Sequence, residues 1–542
     1  MPDAGRPARL DRAAPLDVAM GDYLTTMSLG QPAVLTFLAF VAAALIVLAT
    51  DRYALSAKLR ASASRQQGFS FGDLMARLPV ILLVFAFFFA ISWRPLYSAG
   101  GTVSFFVIFT AISRAKLQFV REPLVFSDVA LLALVLRHKE LFAATWLDAL
   151  FFLGAATYVF GASTLFYLFE PTVLPRDAGF MPVAGMLLVA LLPWLSLFLR
   201  PVRKRLARLG SLMVRAQGPV ALTHRLGTFA SLLYAFLEWL GDRPAERELA
   251  APMIGTAGEA SPLVVVWQSE SFIDMRHFGQ PVALPNLDRL RRRSAAWGRM
   301  PSVFEGGYTL RTEFSVLSGM APADLGPDAP YPYLRPDRFA GIAWPARFRR
   351  AGWATHFIHP YDRRFFSRDK ALPRMGFETL TMLDDFSHDP SCDGRYVSDM
   401  ALTGRVIDAA RASGDKPGGF VFAASMENHG PWKPGRLQGA ATPVDIYTGL
   451  LERSDAALGR LIDELDDWDR PVWLLFYGDH APILKSFADP FPDPRTDYAI
   501  APLGRAMRGR VVSEDPAERA PWQLIETMVS HMHARGPAAR PA

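Results

Sequence analysis

Four short polar clusters follow four apolar runs in the second half of this 542-residue chain. Gln268-Ser269-Glu270 follows LVVVW, and His359 and Asp362 follow ATHFI. Glu427-Asn428-His429 follows GFVFAAS, and Gly478-Asp479-His480 follows VWLLFY. Carboxylates and imidazoles are the side chains that hold hard divalent cations and move protons near neutral pH. One such residue alone is ordinarily a cap or a satisfied loop histidine; four clusters in the same position are not a chance pattern. Glu270, Asp479 and His480 offer oxygen and imidazole ligands without a thiolate. That mixture suits Mn²⁺, Zn²⁺ or Mg²⁺ rather than copper or an iron–sulfur cluster. The matching nucleophile is sought in EGGYTLRTEFSVLSG, residues 305–319. Gly306-Gly307 permit a tight turn, Leu310, Phe314 and Leu317 open a helical apolar stripe, and Thr309 falls at the helix N-terminus. Backbone N–H groups and the helix dipole favour a phosphate there. A plain N-cap is the ordinary role of such a threonine; beside this ligand set it becomes a candidate nucleophile.

The elements that must position these groups follow from the same pattern. LVVVW (263–267), ATHFI (354–358), GFVFAAS (419–425) and VWLLFY (472–477) predict buried parallel strands. Helical stretches lie between them, in LPNLDRLRRRSA, AWPARFRRAG, MALTGRVIDAARAS and TGLLERSDAALGRLIDEL. Strands alternating with helices predict an α/β domain with a doubly wound sheet, whose ligands bind at the carboxyl ends of the strands.

The first half is of another kind. Hydrophobic residues make up 51% of the chain and charged residues only 20%, which excludes a disordered or coiled-coil protein. Apolar stretches at about 33–50, 78–93, 102–117, 144–169 and 180–199 predict an all-α transmembrane bundle of about five helices. Asp148, near the start of the fourth, is read as an interfacial residue. Residues 1–29 hold no apolar run of the kind a cleaved signal peptide needs, so the first span is expected to direct export. The expected division is a tail (1–29), a transmembrane domain (30–200), a basic connector with an interfacial amphipathic helix (201–260), a catalytic domain (261–535) and a short tail (536–542). With five spans, the basic residues after spans one, three and five share one side with the C-terminal domain, which the positive-inside rule makes cytoplasmic. A crossing by 219–240 would reverse that. One cysteine, Cys392, excludes an intramolecular disulfide framework and a cysteine-built zinc site. A net charge of +6 is small for this length, and the Arg291-Arg292-Arg293 run reads as a solvated helix face, so no nucleic-acid partner is expected.

The motifs SESF (269–272), PNLDRL (285–290), YTLRTEF (308–314), FFSRD (365–369), ENHGPW (427–432) and YGDHAP (477–482), with REPLVFSDV (121–129), resemble the lipoteichoic acid synthase group of membrane-bound phosphoglycerol transferases, within the alkaline phosphatase/sulfatase superfamily. The resemblance implies an alkaline phosphatase/sulfatase-like sheet. It makes Glu270, Thr309, Asp479 and His480 the ligands of one divalent metal, Mn²⁺ before Mg²⁺ or Zn²⁺, with Thr309 also the nucleophile. Arg368 would grip the phosphate, as a guanidinium fork can, and His359 and His429 would line the substrate pocket, His429 against a glycerol group or a departing oxygen. Two departures fall on the substrate side, with Asp362 adjacent to the second. Gln268 stands where Gram-positive members carry histidine, and Tyr361 where an aspartate is expected.

The function implied is transfer of glycerol phosphate from phosphatidylglycerol to an extracytoplasmic glycan or glycolipid, at a bacterial inner membrane with the catalytic domain on the periplasmic side. A phosphoethanolamine transferase, a phosphodiesterase, a sulfatase or a non-catalytic membrane sensor are the alternatives. Sulfatases need a modified cysteine or serine nucleophile, and phosphoethanolamine transferases commonly carry several disulfides; a lone Cys392 remote from Thr309 suits neither.

Overall fold

In a computed structural model the described residues are 30–130, 161–174, 179–241, 261–412, 418–508 and 515–533, apart from 67, 69, 216 and 305, plus a few isolated positions. They form two compact units. One comprises described residues up to 114 with those of 145–205 and 220–231; the other comprises 115–130, 206–219 and the chain from 232.

The first unit is helical. Among the described residues, Pro32–Ala54, Phe71–Ser92 and Pro95–Gln118 are long and apolar enough to cross a membrane. Phe71–Ser92 begins at a capping box, in which the Ser70 hydroxyl accepts from the Asp73 N–H and the Asp73 carboxylate from the Ser70 N–H. Two buried ion pairs lie among the described residues of this unit. Arg77 donates to Asp51 at 2.5 Å and Arg225 to Asp73 at 2.7 Å, all four buried, so that each buried charge has its counter-charge. The expected span 180–199 forms Met181–Ser196, which bends by 78° into the basic helix Arg200–Val214; the pair makes a fourth crossing if it is one broken span. The fourth expected stretch, with Asp148, lies mostly outside the described residues. The amphipathic stretch 219–240 is two helices, Pro219–Leu226 and Thr228–Gly241, because Gly227 adopts φ +75° between them.

The second unit holds a seven-stranded sheet of order β2-β7-β6-β1-β5-β3-β4. Its strands are β1 Leu263–Ser269, β2 Ala296–Met300, β3 Ala354–Ile358, β4 Thr379–Thr381, β5 Gly419–Ala424, β6 Val472–Gly478 and β7 Thr496–Leu503. The four expected strands, β1, β3, β5 and β6, are mutually parallel and central. β7 runs antiparallel to both β6 and β2, so the sheet is mixed rather than wholly parallel. Both faces are covered. Val264 and Val266 of β1 face the core made by Leu310, Phe314, Trp344, Phe348 and Leu524. Leu263, Val265 and Trp267 face that made by Leu287, Leu290, Val406, Leu450 and Leu461. A strand buried on both faces has no polar alternation, which is why its sequence is a continuous apolar run. Arg291 and Arg293, expected on a solvated face, instead pair with Asp274, Asp497 and Asp466.

Candidate active site

Strand register brings the ligand candidates together. Ser269 of β1 pairs with Gly478 of β6, so the next residues, Glu270 and Asp479, leave adjacent strands at the same level. Thr309 opens the helix Thr309–Ser318, after a turn in which Gly307 takes φ +71°. Its Oγ1 donates to Glu270 Oε2 at 3.4 Å and lies 3.3 Å from His480 Nε2. His480 Nε2 is also 3.3 Å from Asp479 Oδ2 and 3.6 Å from Glu270 Oε1. His480 Nδ1 lies 3.1 Å from the Ala481 carbonyl; donating its proton there leaves Nε2 to the cluster. All four side chains are buried.

Backbone conformation sharpens the arrangement. Ser271 is a non-glycine residue at φ +50°, held by the Tyr447 hydroxyl donating to its carbonyl at 2.7 Å. That conformation directs its N–H to Asp479 Oδ1 at 2.8 Å and its hydroxyl to Glu270 Oε1 at 2.7 Å. The Glu270 N–H donates to Ser425 Oγ, just past β5, at 3.0 Å. Asp479 Oδ1 accepts a second bond from the His480 N–H, but the buried Oδ2 has no hydrogen-bond partner. Burial, then the neighbouring Glu270 charge, push the Asp479 carboxyl above the usual carboxylate range. An orphaned carboxylate oxygen beside a second carboxylate, an imidazole and a hydroxyl is the donor set of a hard divalent cation. Glu270, Asp479 and His480 each bring one ligand atom within 4.8 Å of the others. The residues fit a metal.

The other expected residues are placed less uniformly. His429 is half-buried; its Nδ1 lies 2.7 Å from the Gly430 carbonyl, which leaves Nε2 as the free nitrogen. Burial pushes it down to about 4, and it feels the charges of His480 and Asp479. His359 is buried with Nδ1 3.0 Å from the Ala424 carbonyl, and burial, then Arg368, hold it well below the usual range. Both imidazoles are neutral near pH 7. Arg368 is buried and donates through Nε and Nη2 to Glu313 at 3.1 and 2.9 Å. Glu313 lies one helical turn after Thr309 and also accepts from the Tyr333 hydroxyl at 2.7 Å. Gln268 Oε1 accepts from the Tyr477 hydroxyl at 2.5 Å. Asp362 accepts from the Arg364 N–H at 2.8 Å, a local turn. The Glu427 carboxylate accepts from the Asp399 N–H at 2.8 Å. Sequence reasoning missed Ser271, Ser425 and Glu313; Ser271 and Glu313 lie inside the quoted motifs, which was the available signal.

The sulfatase family model matches residues 262–532. The chain is 52% identical over 512 residues to the capsular polysaccharide biosynthesis protein RkpI of Rhizobium meliloti, covering 92% of this chain and 95% of that one. The integral membrane lipooligosaccharide phosphoethanolamine transferase A of Neisseria meningitidis superposes over 90% of this chain and 95% of its own, with TM-score 0.52 and 13% identity. The Streptococcus pyogenes phosphoglycerol transferase GacH, in complex with sn-glycerol-1-phosphate, covers 51% of this chain and 76% of its own, with TM-score 0.42 and 19% identity. With its apolar N-terminal helices, the chain belongs to the sulfatase family of the alkaline phosphatase superfamily, as a membrane-anchored member.

Proposed function

We propose that the protein is a membrane-bound phosphoglycerol transferase that moves glycerol phosphate from phosphatidylglycerol to a hydroxyl of an extracytoplasmic polysaccharide. The observation that carries this reading is the Thr309 hydroxyl at a helix N-terminus, within 3.4 Å of Glu270 and 3.3 Å of His480. In the first half-reaction Thr309 Oγ bonds to phosphorus as the bond from phosphorus to the diacylglycerol oxygen breaks. Diacylglycerol departs with the proton that the Thr309 hydroxyl gives up and stays in the bilayer. In the second, an acceptor hydroxyl oxygen bonds to phosphorus and the Thr309 ester breaks, returning the side chain. Glu270, Asp479, His480 and Thr309 would hold a divalent cation, Mn²⁺ by the family resemblance, which when bound would supply positive charge at the nucleophile and the phosphoryl group.

The chain's own groups do the rest. Neutral His429 takes the acceptor's proton at Nε2 and yields it to the departing Thr309 oxygen, so that the hydroxyl is restored. His359 and the Arg368 guanidinium, oriented by Glu313, bind the phosphoryl and head-group oxygens, with Asp362 and Gln268 on the substrate side. The apolar helices hold the enzyme where a two-tailed donor is found. The similarity to a capsular polysaccharide biosynthesis protein supports a polysaccharide acceptor, and such an acceptor suits a catalytic domain on the periplasmic face.

Full-length protein in phosphatidylglycerol vesicles, with label in the head-group glycerol, tests the reading. Manganese-dependent diacylglycerol release with head-group label reaching a polysaccharide acceptor is expected. Release from phosphatidylethanolamine alone would replace this donor with the phosphoethanolamine one.

A further inference from the structure

The segment REPLVFSDV takes no part in the chemistry described so far, yet it packs against the nucleophile's own helix. Glu122 is buried, and its two carboxylate oxygens accept from both Nη atoms of Arg311 at 3.0 and 2.8 Å. Lys116 donates to the same carboxylate at 3.0 Å and to Asp128 at 2.7 Å. Burial pushes the Glu122 carboxyl up, but Arg311 and Lys116 outweigh it and hold the group below its ordinary value. Arg311 lies two residues after Thr309. Its guanidinium sits 4.2 Å from the Phe304 ring centroid and 5.0 Å from that of Tyr308, and its Nε donates to the Pro330 carbonyl at 3.1 Å. Every nitrogen of the fork is therefore committed.

A second contact is made by backbone alone. A Cβ on Gly306 would run into the carbonyl oxygen of Val120. The turn that aims Thr309 thus lies directly on residues 120–122, within one compact unit. Buried ion pairs add little net stability compared with apolar packing of the same shape. A two-pronged guanidinium–carboxylate pair does fix orientation.

We propose that Glu122 is a positioning residue for transfer. Through Arg311 it holds the turn and first helical residues that aim the Thr309 hydroxyl, so the segment leaving the third apolar helix is part of the active-site framework. The proposal rests on Thr309 being the nucleophile. Its test is Glu122→Gln in the full-length protein with Mn²⁺, reading hydrogen–deuterium exchange of peptides covering 306–318 beside turnover of phosphatidylglycerol. A misplacement of about 1 Å costs up to about 100-fold in rate. The expected result is about tenfold faster exchange confined to that stretch and about a tenfold lower kcat, with KM and Mn²⁺ affinity within about twofold. Glu122→Asp, which keeps the charge, should recover part of both. Wild-type exchange across 306–318, or a rise spread equally over the sheet strands, overturns the proposal. Should wild-type protein release no diacylglycerol, the donor assignment fails by itself, and the exchange pattern still decides whether Glu122 holds the turn.

Discussion

The Asp479 carboxylate has one oxygen satisfied twice and the other facing the cluster without a partner. Asp479→Asn should therefore lower Mn²⁺ affinity by about 10–100-fold in calorimetric titration, the scale of losing a metal-site partner. Thr309→Ala should abolish turnover while leaving much of that affinity, since three ligands remain. His429→Gln should cut kcat by about 100-fold or more. Its free-protein value of about 4 lies below the ordinary 6.5, so the base form is present above both values and is lost only as pH falls through about 4. The variant's pH–rate profile should lack an acid limb there. The candidate ligands Glu270, Thr309, Asp479 and His480 were legible because each stands in the polar cluster that follows an apolar run or at the head of an apolar stripe. Ser271 and Glu313 were not. One depends on a left-handed backbone angle, the other on an ion pair to Arg368, 55 residues along the chain, and linear spacing carries neither.

The helix Pro443–Asp466 buries Leu450, Leu458, Leu461 and Leu465 against one sheet face. Leu461→Ala should cost about 2–5 kcal/mol in denaturant unfolding of the catalytic unit. β3 carries a pH-dependent contribution. His356 Nε2 lies 2.7 Å from Thr381 Oγ1, and burial pushes the imidazole down to about 4 from 6.5. The unfolded chain binds that proton first. The contribution is thus complete above 6.5 and lost as pH falls towards about 4. Melting midpoints across that window should fall less steeply for His356→Gln. β1, β3, β5 and β6 could be read from sequence because burial on both faces makes them unbroken apolar runs. β7 hid because TDYAIAPL carries Asp497 and Pro502, β2 because Gly298 and Arg299 interrupt it, and β4 because it has three residues. The single amphipathic helix expected over 219–240 failed at Gly227, whose left-handed turn is available to any glycine and invisible in an apolar count.

At the scale of the molecule, the proposed lipid donor and polysaccharide acceptor call for the membrane anchor and the catalytic unit to serve one reaction, and the proposal sets that reaction on the periplasmic face. The exposed Cys392, the only cysteine in the chain, reports that side directly. A membrane-impermeant maleimide should label it in cells with a permeabilised outer membrane and an intact inner one; labelling only after lysis would return the domain to the cytoplasmic side, as the positive-inside count has it. The covalent step can be read most directly of all. Full-length protein incubated with Mn²⁺ and phosphatidylglycerol, without acceptor, should carry a glycerophosphoryl group on Thr309 by peptide mass spectrometry, with diacylglycerol released in equal amount. The adduct should be absent from Thr309→Ala and from chelator-treated protein. Metal-loaded protein that releases diacylglycerol with Thr309 unmodified, or that carries the group on another residue, would contradict the assignment of Thr309 as nucleophile.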